Sequence, residues 1–387
     1  MKRAELNGIL LAGAISVVAY ADGFLALLHG LTEAGEFNPA IAVVVAAAAG
    51  TAFVFRKRMP MWIPGVLAAF AVLMVALAAI DDQGAAQKLA RDYLYMFLLV
   101  VTFSTVRERI DNGRIDSRSF AAWLALLIIV IFPALGAVTG MVGYEGRFAG
   151  FSLSPPIFAN GVMLAYLVAR NSRLSLRWIA PLFAASALCI VLSGTRSALM
   201  TLVLYEMLLL GTAAGIARHR SAYYALLLLG AAILALVAWD LRDAMTTGGA
   251  HSRVFAQSDS DGGSLNTRVG WYLELWMKLA SNNYLGGFGA GSAERTTGYI
   301  THFDVLRYWY DYSILFVGLF SLVLFKGFLS GNAERNAQAR GYQRLVVPFF
   351  LINVLLMSLH NIFQAPGTLL LFAVYLNFAR LQPEAIS

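Results

Sequence analysis

Four arginines and one histidine are the side chains in this sequence best suited to chemistry, and all five are predicted to lie on the outward-facing side of its apolar segments. The arginines are Arg147 in YEGRFAGF, Arg196 in SGTRSALM, Arg268 in NTRVGWYL and Arg307 in VLRYWYDY. A guanidinium group stays charged and makes paired hydrogen bonds to phosphate oxygens. A single arginine could instead reach a lipid headgroup. Several together favour an anionic substrate.

Arg196 and His302 are the most informative of these residues. Arg196 falls at the predicted start of an apolar helix, where the helix dipole and free N–H groups also favour an anion. His302, in THFDVLRYWYDY, is the candidate general base, because imidazole with a pKa of about 6.5 can accept a hydroxyl proton at neutral pH. The alternative is a loop histidine that bonds water or a carboxylate. Asp304 and Asp311 flank this segment and could orient His302, or could be solvated.

Aromatic residues crowd the same part of the sequence, and they have two interpretations. Tryptophan and tyrosine are enriched where a membrane meets water, so an interfacial belt is the default. Stacking on a sugar is compatible with that belt, and Trp271 and Tyr308 are the candidates for it. No aspartate-rich cluster of the DxD kind occurs, so the sequence predicts neither a metal site nor a cofactor.

The composition indicates a membrane protein. Of 387 residues, 59% are hydrophobic and 13% are charged, whereas about 25% are charged in soluble domains. This excludes a soluble enzyme. The net charge of +7 resides in short basic clusters between apolar segments, which predicts topology rather than nucleic-acid binding. The single cysteine, Cys189, lies in an apolar segment and allows no intrachain disulfide.

The apolar segments predict an all-α, polytopic bundle of about twelve membrane spans, because about 20 apolar residues cross a bilayer as a helix. The predicted spans are Ile9–Leu28, Ala40–Val54, Pro64–Ile80, Tyr93–Val106, Phe120–Val138, Ile157–Ala169, Ile179–Leu192, Ser197–Ala217, Ala222–Trp239, Tyr312–Phe325, Leu345–Met357 and Thr368–Phe378.

The basic residues predict the orientation of these spans. Of the 29 lysines and arginines, 19 lie in short segments on the side that both termini share. The positive-inside rule makes that side cytoplasmic. The chain then divides into helices 1 to 9 (residues 1–239), a long outward-facing loop (240–311) and helices 10 to 12 with a cytoplasmic C-terminus (312–387).

The long loop carries its own predicted helix. Residues Asn266–Ser281 mix apolar and polar residues at helical spacing and include tryptophans, which suits a helix at the membrane surface. Glycines at 286, 287, 289 and 291 follow it and predict its end.

Glu206 offers an interpretation of another class. It lies in the middle of a predicted span, where an ionised carboxylate must be paired, protonated or in a wet cavity. A proton-coupled transporter uses such a residue, and so does a structural hydrogen bond between helices.

Several segments resemble, in order, the superfamily of O-antigen ligases and Wzy-type polysaccharide polymerases. They are SGTRSALM, NTRVGWYLELWMKLASNNYLGGFGAGSAE and THFDVLRYWYDYSILFVGLF, with a weaker likeness in GRFAGFSLSPPIFANGVMLAYL. The similar segments run from about Arg147 to Phe320. The family often has Asn where this chain has Phe303, and Gly where it has Ser313.

This resemblance implies a GT-C-like membrane glycosyltransferase that needs no metal. It also implies a location in the bacterial inner membrane, with the long loop (240–311) in the periplasm and the active site facing it. Its donor is an undecaprenyl-diphosphate-linked oligosaccharide. The family's histidine corresponds to His302, and its diphosphate-binding arginines correspond to Arg196 and Arg268, with Arg147 as a third. Arg307 is a further candidate for substrate binding.

The acceptor separates the subtypes. A polymerase extends another lipid-linked glycan, and a chain-length regulator protein could then be a partner; a ligase transfers the glycan to lipid A-core. The WYDYSILFVGLF segment favours the polymerase. The alternative of another class is a transporter or flippase for the same lipid-linked glycan, which would depend on Glu206.

Overall fold

The computed structural model of the chain describes residues 2–20, 85–139, 147–152, 154–172, 174–212, 265–298, 304–329 and 365–379. Within these ranges the structure is helical and contains no strand, which confirms the all-α prediction. The helices are α1 (Arg3–Ala19), α2 (Ala85–Asp111), α3 (Ser117–Val138), α4 (Pro155–Asn171), α5 (Leu176–Leu192), α6 (Arg196–Thr212), α7 (Leu265–Ser281), α8 (Ser292–Thr297), α9 (Asp304–Tyr312), α10 (Ile314–Leu329) and α11 (Pro366–Ala379).

Helix α4 is the centre of the bundle. Its residues from Val162 to Ala169 are fully buried on every face, as expected for a helix that is apolar all round. It packs against α3, α5, α6 and α11. Pro155 and Pro156 occupy its first turn, where the missing N–H groups of proline cost nothing.

The packing defines two ends of the bundle. At the first end, the start of α1 meets the turn between α2 and α3, where the Asn7 side chain donates to the Arg114 carbonyl. Helix α11 reaches the same end, because Phe378 stacks on Phe120 at a centroid distance of 5.6 Å. At the second end, α11 begins so close to α1 that a Cβ on Gly367 would lie 2.2 Å from the Ala19 carbonyl oxygen.

Helix α3 contains a π-helical segment, Leu126–Ile131, whose cause is a proline. Pro133 has no N–H to donate to the Ile129 carbonyl, so the α-helical ladder cannot continue through this point. The backbone widens instead, and the Phe132 N–H bonds the Leu127 carbonyl, five residues back. The Cys189 thiol of α5 lies 3.7 Å from the Ile129 carbonyl oxygen and is placed to donate to it. The lone cysteine therefore has a specific place in the packing of α3 on α5.

The described residues contain one candidate for a membrane span. Among the described residues, α3 (Ser117–Val138) is the one helix both long and apolar enough to cross a membrane. Shorter apolar helices cover Leu176–Leu192, Ser197–Met207 and Gly367–Phe378. The bundle of about twelve spans therefore stays a prediction. Outside the described residues lie the predicted spans Ala40–Val54, Pro64–Ile80, Ala222–Trp239 and Leu345–Met357.

A sharp break separates α9 from α10, within what the sequence predicted as the start of one span. The break is at Ser313, whose φ of 103° lies in the region that favours glycine. The Ser313 N–H still bonds the Trp309 carbonyl, at 3.0 Å, so the chain turns without losing that hydrogen bond. This turn redirects the chain from the loop into α10.

We expect Ser313→Gly to stabilise the protein. A non-glycine residue in this conformation is strained by about 1 kcal/mol or more, and glycine removes the strain while adding some backbone freedom to the unfolded chain. The free energy of unfolding in mild detergent should rise by about 1 kcal/mol. Ser175→Gly is the control. Ser175, at the start of α5, has an ordinary φ of −67° and makes no capping hydrogen bond with its side chain. An equal gain at both positions would contradict the strain at Ser313.

Candidate functional site

Helices α7, α8 and α9 fold against one another into a small unit, here called the loop body (residues 265–298 and 304–312). Its apolar centre contains the buried side chains Leu275, Leu279, Ala293, Leu306 and Tyr310. The predicted helix Asn266–Ser281 is confirmed as α7, and it ends where the sequence predicted. The loop that follows the bundle thus has a core of its own.

The glycines after α7 allow the loop body to close. Gly286, Gly287, Gly289 and Gly291 all have positive φ. At Gly286 the requirement is also steric, because a Cβ would lie 2.1 Å from the Trp309 carbonyl oxygen. The N–H groups of Gly287 and Phe288 both bond the Tyr310 carbonyl, at 2.9 and 3.0 Å. The glycine segment is therefore bonded along the last turn of α9.

Asp311 ties the end of α9 to the start of α8. Its carboxylate accepts hydrogen bonds from the N–H groups of Gly291 at 3.0 Å and Ala293 at 2.8 Å. Burial raises the pKa of Asp311 to about 7, although the positive charge of Arg307 and the two N–H donors oppose that rise. Asp311 thus has a structural role that the sequence analysis left open.

Arg307 is buried between the loop body and the bundle. Only 1% of its side chain is exposed, and its nearest carboxylates are Asp92 on α2 and Glu294 on α8. Its Nη2 lies 3.6 Å from Asp92 Oδ1, and its Nη1 lies 3.8 Å from Glu294 Oε1. Both contacts are longer than a hydrogen bond. Burial lowers the pKa of Arg307, but Asp92 and other acidic neighbours outweigh it and raise the pKa well above its usual value.

Residues of α2 complete this group, here called the ion cluster (Lys88, Arg91, Asp92, Glu294 and Arg307). Lys88 pairs with Glu294, and Arg91 Nε lies 3.3 Å from Asp92 Oδ1. The Tyr312 hydroxyl donates to the other Asp92 oxygen at 2.7 Å. Asp92 on α2 therefore contacts two residues of α9, Arg307 and Tyr312, so it anchors the loop body to the bundle.

Arg147 lies over the turn that precedes α6. Its Nε donates to the Ser193 carbonyl at 2.7 Å, and its Nη2 contacts the Thr195 hydroxyl at 3.3 Å. The segment that carries Arg147 is held here by the close approach of Gly150 to Gly136. A Cβ on Gly136 would lie 2.1 Å from the Gly150 carbonyl oxygen. Arg196 directly follows this turn as the first residue of α6. The structure thus brings the Arg147 and Arg196 segments together at one helix start.

The remaining predicted residues are placed as follows. Arg268 lies in the first turn of α7, and His302 lies outside the described residues. Trp271 is half-buried. Tyr308 is buried beneath Arg307, whose Cζ lies 4.5 Å from the centroid of the Tyr308 ring. Arg307, which the sequence analysis placed among outward-facing arginines, is instead enclosed, and a role for Arg307 or Tyr308 in substrate binding stays a prediction.

Sequence reasoning missed the acidic half of the ion cluster. Asp92 precedes an apolar segment and Glu294 follows a glycine run, and nothing in their local patterns marks them as partners of Arg307. The available indication was general: an acidic residue next to an apolar span needs a cation.

Glu206 is paired within the bundle. Arg170 Nε donates to its two oxygens at 2.9 and 3.2 Å, and the Tyr166 hydroxyl donates to Oε1 at 2.7 Å. Both partners lie on α4, so the carboxylate joins α4 to α6. It lies about 15 Å along α6 from Arg196, at 1.5 Å per residue.

The described residues contain no group of three or more His, Cys, Asp or Glu side chains that could hold a metal ion. No model of a known protein family matches the sequence, and no curated protein matches it.

Proposed function

We propose that the protein is a metal-independent, inverting glycosyltransferase that uses a lipid-diphosphate-linked glycan as donor. The observation that best supports this proposal is the meeting of the Arg147 segment with the turn that starts α6 at Arg196. A cation beside a helix start is an environment that favours a phosphate group. The resemblance of the same segments to polysaccharide polymerases and O-antigen ligases supports it independently.

The proposed reaction is a single displacement at the anomeric carbon. His302 accepts the proton of the acceptor hydroxyl as that oxygen bonds to the anomeric carbon of the donor. The bond to the diphosphate oxygen breaks, and undecaprenyl diphosphate leaves with the electron pair. Arg196 and Arg268, with Arg147 nearby, offset the charge that grows on the leaving group. Attack from the opposite face inverts the anomeric configuration.

The membrane arrangement is part of the proposal. We infer about twelve spans, with both termini in the cytoplasm and residues 240–311 in the periplasm. The two ends of the bundle support this orientation. Lys2 to Asn7 and the turn at residues 112–116, both predicted to be cytoplasmic, meet at the first end. The segments with Arg147 and Ser193 to Arg196, both predicted to be periplasmic, also meet one another.

Cysteines at Ser281 and Ser175 test the orientation. Both serines are exposed, and they lie on opposite sides of the predicted membrane, at the end of α7 and just before α5. In a Cys189→Ala background, Ser281→Cys should react with an impermeant thiol reagent in intact spheroplasts, and Ser175→Cys only after lysis. The reverse pattern would overturn the orientation and the periplasmic site with it.

The activity itself is tested with purified protein in nanodiscs. We expect a defined undecaprenyl-diphosphate glycan to be elongated when a second lipid-linked glycan is the acceptor, which is the polymerase reaction. Transfer only to lipid A-core would indicate the ligase instead. Activity should survive EDTA, because arginines and not a metal ion offset the negative charge on the leaving group. Loss on chelation with recovery in magnesium or manganese would contradict that assignment.

A lipid-linked glycan transporter is the second candidate, and Glu206 is the residue that would favour it. Its close pairing with Arg170 and Tyr166 gives Glu206 a structural role between α4 and α6. This structural role of Glu206 favours the glycosyltransferase over the transporter.

A further inference from the structure

Helix α7 has two apolar faces, and only one of them is used in the loop body. Leu275 and Leu279 are fully buried against α8 and α9. Leu273, Trp276, Met277 and Ala280 follow the spacing i, i+3, i+4, i+7, and all four are exposed. Met277 is 64% exposed and Leu273 is 55% exposed. We call these four residues the α7 stripe.

The α7 stripe lies on the opposite side of the helix from the buried face. At 100° per residue, position 273 is about 160° from position 275, and position 277 is about the same from position 279. Glu274 and Lys278 lie between the two faces, with their charged groups 3.8 Å apart and their side chains 42% and 49% exposed. The helix therefore has the loop body on one side, an apolar surface on the other and charges along a flank.

The α7 stripe continues into a larger apolar surface. The Trp276 ring lies 5.4 Å from the Tyr284 ring and 5.7 Å from the Trp309 ring, centroid to centroid. Exposed Leu285 follows Tyr284, and its carbonyl bonds the N–H of Ile314 at the start of α10. Leu315, the next residue of α10, is 71% exposed. One apolar surface thus runs from α7 to the head of an apolar helix.

We propose that the α7 stripe seats the loop body in the interface of the lipid bilayer. The continuity with α10 identifies the occupant, because the acyl chains that would surround α10 also meet Leu285 and the stripe. The composition fits this position: tryptophan and tyrosine occupy the zone between headgroups and acyl chains, and leucine and methionine reach deeper. Such helices lie about 5–10 Å into the boundary of headgroups and chains.

The proposal changes the assignment of the aromatic residues of α7. Trp271 and Tyr272 are half-buried, and Tyr272 packs on the core of the loop body. Trp276 is the tryptophan of α7 that meets lipid. The face that carries Trp271 is then directed toward the protein.

Accessibility of spin labels tests the proposal. Single cysteines replace Leu273, Glu274, Met277 and Lys278 in a Cys189→Ala background, and each carries a nitroxide. The protein is placed in nanodiscs of phosphatidylethanolamine and phosphatidylglycerol, with no glycan donor. For each label we compare the collision rate with oxygen to the collision rate with a nickel chelate. This ratio should be several-fold higher for labels at 273 and 277 than for labels at 274 and 278. The matched neighbours differ only in the face that they occupy.

A second variant tests whether the apolar side chains of the α7 stripe are what hold α7 in the lipid. Leu273→Glu with Met277→Glu should shift a label at Ala280 from the oxygen-rich to the chelate-accessible pattern, because the carboxylates oppose burial in lipid. The loop body should keep its resistance to protease, since its buried face is unchanged.

Three results would overturn the proposal. Equal chelate access at 277 and 278 means that the stripe faces water. Low access of both reagents at 277 means that a protein or a second copy covers it. A lipid pattern that arises only after donor is added means that the stripe holds the donor's tail. This proposal rests on the proposed function only in treating the chain as a membrane protein. Its test requires no glycan transfer. Failure of the lipid-contact proposal therefore leaves the proposed glycosyltransferase activity to be judged separately, and the reverse also holds.

Discussion

Replacing His302 with alanine should lower the rate of glycan transfer by 10²- to 10⁴-fold, the contribution typical of general base catalysis. Donor affinity should hardly change, because the base acts on the acceptor hydroxyl in the transition state. Arg196→Ala and Arg268→Ala should weaken donor binding as well as transfer, since each removes a charge partner of the diphosphate in both states. Lysine should restore these arginines poorly, because a point charge cannot reproduce the paired guanidinium geometry.

The measurement is transfer and donor affinity for each variant in nanodiscs. Glu206→Gln is the control, because the competing transporter hypothesis depends on Glu206. If Glu206 joins α4 to α6, this variant should lose stability through the unpaired Arg170 charge and keep its transfer rate per folded molecule. Full transfer by His302→Ala together with loss of transfer by Glu206→Gln would reject the glycosyltransferase and favour the transporter.

The second large effect is expected at the ion cluster. Arg307→Met should loosen the loop body by about 3–5 kcal/mol, the usual cost of breaking a buried ion pair, because Asp92 and Glu294 lose their enclosed cation. Asp92→Asn should cost a similar amount. The double variant should lose much less than the sum, because neither buried charge is then left alone.

Hydrogen exchange at the amides of Gly291 and Ala293 measures this effect, since both bond the Asp311 carboxylate inside the loop body. The matched control is Lys278→Met, which breaks the exposed pair with Glu274 and should cost less than about 0.5 kcal/mol. Equal effects of Arg307→Met and Lys278→Met would show that the ion cluster does not hold the loop body.

Much of the helical layout could be predicted from sequence because local pattern determines it. The predicted spans Ile157–Ala169, Ile179–Leu192 and Thr368–Phe378 lie within α4, α5 and α11, where apolar runs end at polar or capping residues. The loop helix was equally clear from its 3.6-residue spacing.

The parts that could not be predicted depend on contacts between distant segments. The spacing of α7 revealed apolar positions but not which of them would face the loop body. The break at Ser313 falls one residue after the predicted start of a span, because backbone direction there is set by the hydrogen bonds of Ser313 to Trp309 and of Ile314 to Leu285. The burial of Arg307 depends on Asp92, and hydropathy around either residue carries no information about the other.

The place of Asp92 in α2 has a consequence for how the protein is made. The Tyr312 hydroxyl that bonds Asp92 lies 220 residues later in the chain, and Glu294 lies 206 residues after its partner Lys88. At the about 5–20 residues per second of protein synthesis, the α2 side of the ion cluster leaves the ribosome some 10–40 s before its partners. During that interval Arg91 is the one described partner of Asp92 already synthesised. Assembly of the ion cluster is thus a late step of biogenesis, and a substitution at Asp92 should act on the docking of the loop body against α2.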